Sequence, residues 1–158
     1  MKINSRSVAS KRIYFRTLLA LAFLLPALAT AEQSRTFGDY AIHYSAFTTD
    51  QLTPEVAKQY RIQRSKNRVL VNISVLKKSE ENPALGAPAK ARITGTAKNL
   101  SEQLRQLQLR EIDEDIAIYY IAETPVNSGE TLKFSFQVTP VGEAASYQLD
   151  FEEQFYTN

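Results

Sequence analysis

Apolar and polar residues alternate along much of this chain, and the most regular run is residues 69–76. Its two faces are Val69, Val71, Ile73 and Val75 on one side, and Leu70, Asn72, Ser74 and Leu76 on the other. The first face is wholly apolar and β-branched, which suits a pleated surface, while the second is half apolar. The run therefore predicts a central strand that is covered on both faces.

Weaker alternation of the same period predicts further strands, separated by segments rich in Gly, Pro, Asn and Asp. These strands cover residues 37–47, 89–99, 107–110, 116–122, 132–138 and 147–152, with a hairpin turn at 113–115 and a loop at 78–88. Turn signals at this spacing are typical of a β-sandwich. The sequence predicts an all-β protein, an immunoglobulin-like antiparallel sandwich of about seven strands; a small closed barrel is the alternative.

Residues 49–61 have a different pattern, which predicts one short helix of about two turns. Thr53 is a suitable N-cap, Pro54 suits the first helical position, and Glu55 complements the helix dipole. Val56 and Tyr60 share a face of that helix. We expect the helix to dock on the outer face of the central strand, against Leu70 and Leu76.

Residues 1–31 have the three parts of a secretory signal peptide. A basic segment without acids precedes an apolar run over 18–28, and Ala29-Thr30-Ala31 provides the small residues of a cleavage site, so cleavage is expected after Ala31. A retained anchor is the rival interpretation, but the apolar run is short of the about 20 residues that span a bilayer. The predicted mature chain, residues 32–158, is one domain without a transmembrane segment and is periplasmic.

The charge of the chain depends on this leader. Five of its 19 Lys and Arg lie in residues 1–31 and none of its 17 acids do, so 14 cations face 17 acids in the mature part, a net charge of −3. A nucleic-acid-binding protein normally has a basic surface. The composition therefore predicts no nucleic-acid partner.

The sequence lacks the residue sets of the common zinc sites, Ser-His-Asp triads and phosphate-binding loops, although it contains acids that paired-carboxylate chemistry could use. His43 is the only histidine, there is no Cys, and the five glycines are scattered, so no catalytic residue, cofactor-binding loop or zinc site is predicted. Glu111, Asp113, Glu114 and Asp115 could offer oxygen ligands to Ca²⁺, but they lack the glycine and the distant glutamate of an EF-hand loop. We interpret them as a solvated hairpin turn and predict no metal.

A basic segment precedes the central strand and contains Arg61, Arg64, Lys66 and Arg68. Arginine binds carboxylates and phosphates through two hydrogen bonds, so the segment is a candidate partner-binding site. The plainer interpretation is a solvated connection. A second candidate surface is apolar: Tyr119 and Ile121 lie on the outer face of their strand, where either the helix or the 78–88 loop covers them or they form an exposed patch. We expect cover.

Several stretches together resemble a known family of exported proteobacterial proteins, domain of unknown function family 4426. They are FGDYAIHYSAF, LTPEVAKQY, IQRSKNRVLVNISVLKK, ITGTAKNLSEQL, REIDEDIAIYYIAETPV and FEEQFY. The resemblance covers nearly all of residues 32–158, and IQRSKNR followed by a strand is its most specific part. It implies a small secreted or periplasmic β-sandwich, and it implies no activity and no catalytic residues.

The sequence thus predicts a non-enzymatic binding or accessory module. Its partner would be a periplasmic or envelope protein or an anionic envelope component, recognised through the four cations or by strand addition at a sheet edge. One alternative is a small envelope enzyme with a site of carboxylates and tyrosines. The other is an envelope-assembly or stress factor with a hydrophobic client surface, for which an exposed Tyr119 and Ile121 patch would be the sign.

Overall fold

A computed structural model describes residues 33–81 and 86–157 of the chain. The predicted signal peptide lies outside these residues, as do residues 82–85 of the predicted 78–88 loop. The strands are β1 (Gln33–Phe37), β2 (Tyr40–Thr48), β3 (Arg68–Lys77), β4 (Ala87–Pro88), β5 (Ala91–Asn99), β6 (Leu104–Leu107), β7 (Arg110–Glu114), β8 (Ala117–Pro125), β9 (Glu130–Pro140) and β10 (Tyr147–Phe155). A 3₁₀ turn (Thr49–Gln51) and one helix, α1 (Pro54–Gln59), connect β2 to β3.

Two antiparallel sheets form a sandwich, which confirms the all-β fold class. The first sheet has the order β1-β2-β3-β8-β7, with β4 paired to β3, and the second has the order β10-β9-β5-β6. The strand predicted to be central, β3, lies between β2 and β8. None of the helices in the described part of the chain is long and apolar enough to cross a membrane.

The core lies between the sheets and is formed by the alternating positions. Val69, Val71, Ile73 and Val75 have no exposed surface. They belong to one buried cluster with Phe134, Phe136 and Leu149 of the second sheet. A buried aliphatic side chain contributes about 1.5–3 kcal/mol relative to an exposed one, so this face of β3 is a major source of stability.

Ten strands lie in the described residues, more than the seven or so predicted. β1 and β4 have no clear alternation, and the strand predicted over residues 107–110 is wrong. β6 ends at Leu107 in the second sheet and β7 begins at Arg110 in the first, so the chain changes sheets within that range. Alternation along the chain continues through the crossing and cannot reveal it.

The predicted hairpin is formed by β7 and β8, but its turn lies later in the chain than predicted. Glu114 pairs with Ala117, so the turn consists of Asp115 and Ile116, and Asp115 has a left-handed φ of 40°. Ile116 was expected in the strand, yet it is 88% exposed at the tip of the hairpin. Short Asp side chains tolerate this backbone conformation, which explains why the turn forms at this residue.

Glu130 of β9 joins β5, β6 and the connection between β8 and β9, and its contacts predict that stability depends on pH. Its carboxylate accepts hydrogen bonds from Asn127 N at 2.8 Å and Asn99 Nδ2 at 2.9 Å, and it pairs with Arg105 Nη2 at 2.8 Å. Burial raises the pKa of Glu130, but these hydrogen bonds and the Arg105 charge outweigh burial, so the pKa is lowered overall. A lowered pKa means that Glu130 stabilises the fold above its unfolded-state pKa.

We therefore expect Glu130→Gln to lower the free energy of unfolding at neutral pH, and the difference from the native chain to vanish as the pH falls through the folded-state pKa of Glu130. Urea unfolding at pH 7 and at successive pH values below 4.5 measures the loss of stability and its disappearance at low pH. A difference that stays constant over this range would contradict the expectation.

Candidate functional site

The predicted basic segment begins at the C-terminus of α1, where the chain leaves the helix through a Schellman motif. Ile62 N donates to Ala57 O at 2.8 Å and Arg61 N donates to Lys58 O at 3.2 Å. Ile62 and Ala57 also share an apolar cluster, which is the contact that accompanies this motif. The motif places Arg61 at the left-handed position, with φ of 54°, where glycine is usual.

Residues 61–67, here named the basic loop, lack regular secondary structure but are held by hydrogen bonds. Thr49 is fully buried, and its Oγ1 lies 2.8 Å from Gln63 O and 3.1 Å from Ser65 O and accepts from Ser65 N at 2.9 Å. At the far end, Val126 N donates to Asn67 O at 3.0 Å. One buried hydroxyl therefore fixes the middle of the loop and a backbone contact fixes its end.

The four predicted site residues fall within eight consecutive residues but have different environments. Arg61 and Lys66 are exposed on the basic loop, and so is Arg64, whose Nη2 donates to Asp50 O at 2.7 Å. Arg68 is the first residue of β3 and lies 3.7 Å from Glu123 of β8, so it forms an ion pair within the sheet. Binding of a partner by these residues stays a prediction.

An apolar cleft lies between α1 and the outer face of the first sheet, and its volume is about 310 Å³. It is lined by Phe47, Leu52, Val56, Tyr60, Ile62, Leu70, Asn72, Ile112, Glu114, Tyr119 and Ile121. The helix docks on Leu70, as expected; Leu76 lies outside this cluster, beside β4, so that part of the expectation is wrong. Helix docking thus creates a partly open cleft.

The cleft accounts for the second candidate surface. Ile121 is 5% exposed and half-buried Tyr119 packs on the same cluster, which includes Ala57 and Ile62 from the helix and loop. The expected cover of these two residues is confirmed. The exposed patch that would mark a hydrophobic client surface is not formed by them.

Two polar features interrupt the apolar wall. The hydroxyl of Tyr60 donates to Glu114 Oε1, and this carboxylate raises the pKa of Tyr60. Asn72 Oδ1 is buried and has no hydrogen-bond partner among the described residues. A buried acceptor without a donor costs about 1–3 kcal/mol, so Asn72 is a weak point that a donor could relieve.

The acidic cluster is more than a solvated turn, because two of its carboxylates form ion pairs with a lysine from another part of the chain. Lys90 Nζ lies 2.8 Å from Asp113 and 3.0 Å from Glu111, and these two carboxylates raise the pKa of Lys90. Tyr120 also donates to Glu111 at 3.0 Å. Within residues 33–81 and 86–157, no group of three or more acids or histidines could hold a metal ion, and the predicted absence of a metal stays a prediction.

A wider depression of about 560 Å³ lies on the second sheet. Its charged residues pair with one another or with near neighbours, Lys98 with Glu102 at 2.7 Å and Lys133 with Glu152 at 3.7 Å. Such exposed pairs are worth little energetically, and among the described residues that line the depression no polar side chain is buried. The basic loop and the apolar cleft remain the better candidates.

Comparison with known proteins gives one family. Residues 34–158 match the family described as Domain of unknown function (DUF4426). The crystal structure of a DUF4426 family protein from Pseudomonas aeruginosa PAO1 is 32% identical, with a TM-score of 0.67 over 79% of this chain and 94% of that one. Among curated proteins, none matches this chain.

More distant structures share the fold alone. FetP of uropathogenic Escherichia coli strain F11, expressed in the periplasm of E. coli, is 9% identical, with a TM-score of 0.54 over 79% of this chain and 93% of that one. A copper-bound variant of the same FetP is 12% identical, with a TM-score of 0.51 over 79% and 95%. Identities this low transfer no site to the present chain.

Proposed function

This chain belongs to the DUF4426 family, and we propose that it is an exported, periplasmic and non-enzymatic binding module that recognises an anionic envelope partner through the basic loop. The partner is an acidic protein or another anionic envelope component. Recognition depends on Arg61, Arg64 and Lys66, while Arg68 supports the loop from its ion pair in the first sheet.

The observation that carries this proposal is the conformation of Arg61. A residue with a side chain costs about 1 kcal/mol in the left-handed region relative to glycine. Arg61 occupies such a position and is exposed, and the exposed cations Lys58, Arg64 and Lys66 lie within five residues of it in the chain. Backbone strain that persists at an exposed residue supports a functional role for its side chain.

The hydrogen bonds of Thr49 support the same conclusion. A loop that must be ordered on binding loses backbone conformational entropy, at about 1–2 kcal/mol for each residue that is fixed. Thr49 and Asn67 already hold the backbone of the basic loop. The loop can therefore present guanidinium groups to carboxylates or phosphates at a lower entropic cost.

One specific feature favours the enzyme alternative, the hydrogen-bonded Tyr60 and Glu114 pair in the cleft. A tyrosine that serves as a general base near neutral pH needs a lowered pKa. The pKa of Tyr60 is raised instead, first of all by its hydrogen bond to Glu114. Tyr60 is therefore a stable hydrogen-bond donor at neutral pH, which suits binding better than catalysis.

Substitution of Arg61 separates stability from binding. Arg61→Gly should raise the free energy of unfolding by about 1 kcal/mol because glycine relieves the left-handed strain. Combined with Lys66→Ser, it should also abolish recovery of a partner crosslinked to residues 32–158 in periplasm and envelope. Urea unfolding and quantitative mass spectrometry of the crosslinked products measure the two effects.

Arg92→Ser is the matched control because Arg92 is an exposed cation of β5, on the second sheet. It removes one positive charge and should leave recovery unchanged. A partner recovered equally by the native chain and by the Arg61→Gly, Lys66→Ser variant would contradict recognition through the basic loop.

A further inference from the structure

We infer that the apolar cleft receives an aromatic side chain with a hydrogen-bond donor, Trp or Tyr, from an acidic segment of the partner protein. The inference rests on the proposed function and adds to it an anchor, that is, one aromatic side chain of the partner bound in the cleft. The cations of the basic loop would select the acidic segment, and the cleft would select the residue at its centre.

The positions of the loop and cleft support a shared ligand. Arg61 lies between Tyr60 and Ile62 in the chain, and both neighbours line the cleft. Arg110 of β7 donates to the backbone oxygen of Tyr60, which places a second guanidinium at this end of the helix. A segment with an apolar side chain in the cleft therefore has cations within reach of its flanking carboxylates.

The cleft has the size and walls of an anchor pocket. Its volume of about 310 Å³ is at the lower end of the range for ligand pockets, about 300–1,000 Å³, and suits a single large side chain better than an extended ligand. Phe47, Tyr60 and Tyr119 provide aromatic walls. Pockets that bury one aromatic residue are where binding energy concentrates at protein interfaces.

The polar atoms of the cleft favour an aromatic residue that also donates a hydrogen bond. Asn72 lines the cleft, and its Oδ1 is buried without a donor. Glu114 also lines the cleft, and its carboxylate, which accepts from Tyr60, is a second acceptor there. Trp and Tyr combine an apolar ring with one donor at its edge, whereas Phe, Leu and Met lack the donor.

The test uses synthetic peptides and the tryptophan-free chain. The sequence contains no Trp, so all indole emission in the mixture comes from the peptide. We expect the acetylated peptide Glu-Glu-Trp-Glu-Glu to show a saturable blue shift with residues 32–158, and calorimetry to give about thirtyfold weaker binding when Ala replaces Trp. A Phe-centred peptide should bind with intermediate affinity.

Variants locate the anchor. Val56→Phe, from the helix side, and Ile112→Phe, from the sheet side, should each fill the cleft and abolish the preference for Trp over Ala. Asn72→Leu should reduce the preference for Trp over Phe. Leu100→Phe enlarges a residue that is 66% exposed outside the cleft and should leave both preferences intact. Thermal unfolding of each variant confirms that it is folded.

The outcomes distinguish this inference from the proposed function. Equal binding of Trp- and Ala-centred peptides, or a Trp preference that survives both filling variants, overturns the anchor, while loss of all peptide binding in Arg61→Gly, Lys66→Ser still supports the basic loop. Indole alone binding as tightly as the peptide overturns the acidic segment in favour of a small molecule. No binding of the Trp-centred peptide at millimolar concentration also overturns the inference.

Discussion

Gly95→Ala is expected to destabilise the protein by about 3 kcal/mol, the upper end of the usual cost of overpacking a core. A Cβ atom on Gly95 would lie 2.2 Å from Cδ1 and 2.3 Å from Cε1 of Phe136. Phe136 is fully buried between the sheets, so its ring has little freedom to move away. The direction is informative because Gly to Ala within a strand is otherwise stabilising by about 0.5–1 kcal/mol.

A double-mutant cycle assigns this cost to one contact. Phe136→Leu alone should destabilise the core, but it also removes the ring edge that meets the new Cβ atom, so Gly95→Ala should cost less in the Leu background. Urea unfolding followed by circular dichroism measures all four variants. Gly129→Ala is the control, since a Cβ atom on Gly129 would meet no atom within 4 Å and the residue has a left-handed φ of 74°.

The cycle would reject the packing of Phe136 on Gly95 if the two changes were additive, or if Gly95→Ala cost no more than Gly129→Ala. The control substitution carries only the backbone strain of the left-handed region, about 1 kcal/mol. We therefore expect Gly95→Ala to cost about 2 kcal/mol more than Gly129→Ala, and the non-additivity of the cycle measures the part that belongs to the ring contact.

Gly95 shows what sequence patterns can and cannot predict. Alternation places Ala91, Ile93, Gly95 and Ala97 on one face of a strand near a sheet edge, and β5 does lie next to the edge strand of its sheet. The small size of that face suggests only a position near an edge. The face is small at Gly95 because this residue pairs directly with Phe136 of β9, whose ring fills the space. A residue pattern within one strand contains no information about the residues of the neighbouring strand.

The candidate site, too, is predictable from the sequence only in part. Local signals predict the helix, its Thr53 cap, which accepts from Val56 N at 3.3 Å, and the cations that follow. The cleft depends on contacts between distant segments, such as Tyr60 with Glu114. A local hint of the cleft is Asn72, a polar residue on the half-apolar face of the central strand, since buried polar residues need a partner.

Thr49→Val should cost about 2 kcal/mol of stability and should also weaken partner binding, although it changes no charge. Valine has nearly the shape of threonine but lacks its hydroxyl, so Ser65 N and the backbone oxygens of Gln63 and Ser65 lose their buried partner. Each buried backbone group left without a partner costs about 1–3 kcal/mol, partly recovered if water enters. The basic loop should become mobile as a result.

Hydrogen exchange of the loop amides measures this mobility, and urea unfolding measures the stability. We expect the amide of Ser65 to exchange faster in Thr49→Val, while the amides of β3 keep their protection. Thr49→Ser is the matched control, because it keeps the hydroxyl and removes only a methyl group. It should retain slow exchange at Ser65 and native affinity for the partner.

Binding by Thr49→Val then decides between two ways in which cations can act. If the net charge of the segment is sufficient, the variant should bind like the native chain, since Arg61, Arg64 and Lys66 are all present. If the fixed backbone matters, affinity should fall together with the protection of Ser65, because the partner must then order the loop at its own entropic cost. Native affinity combined with fast exchange would mean that Thr49 stabilises the fold without preparing the basic loop for recognition.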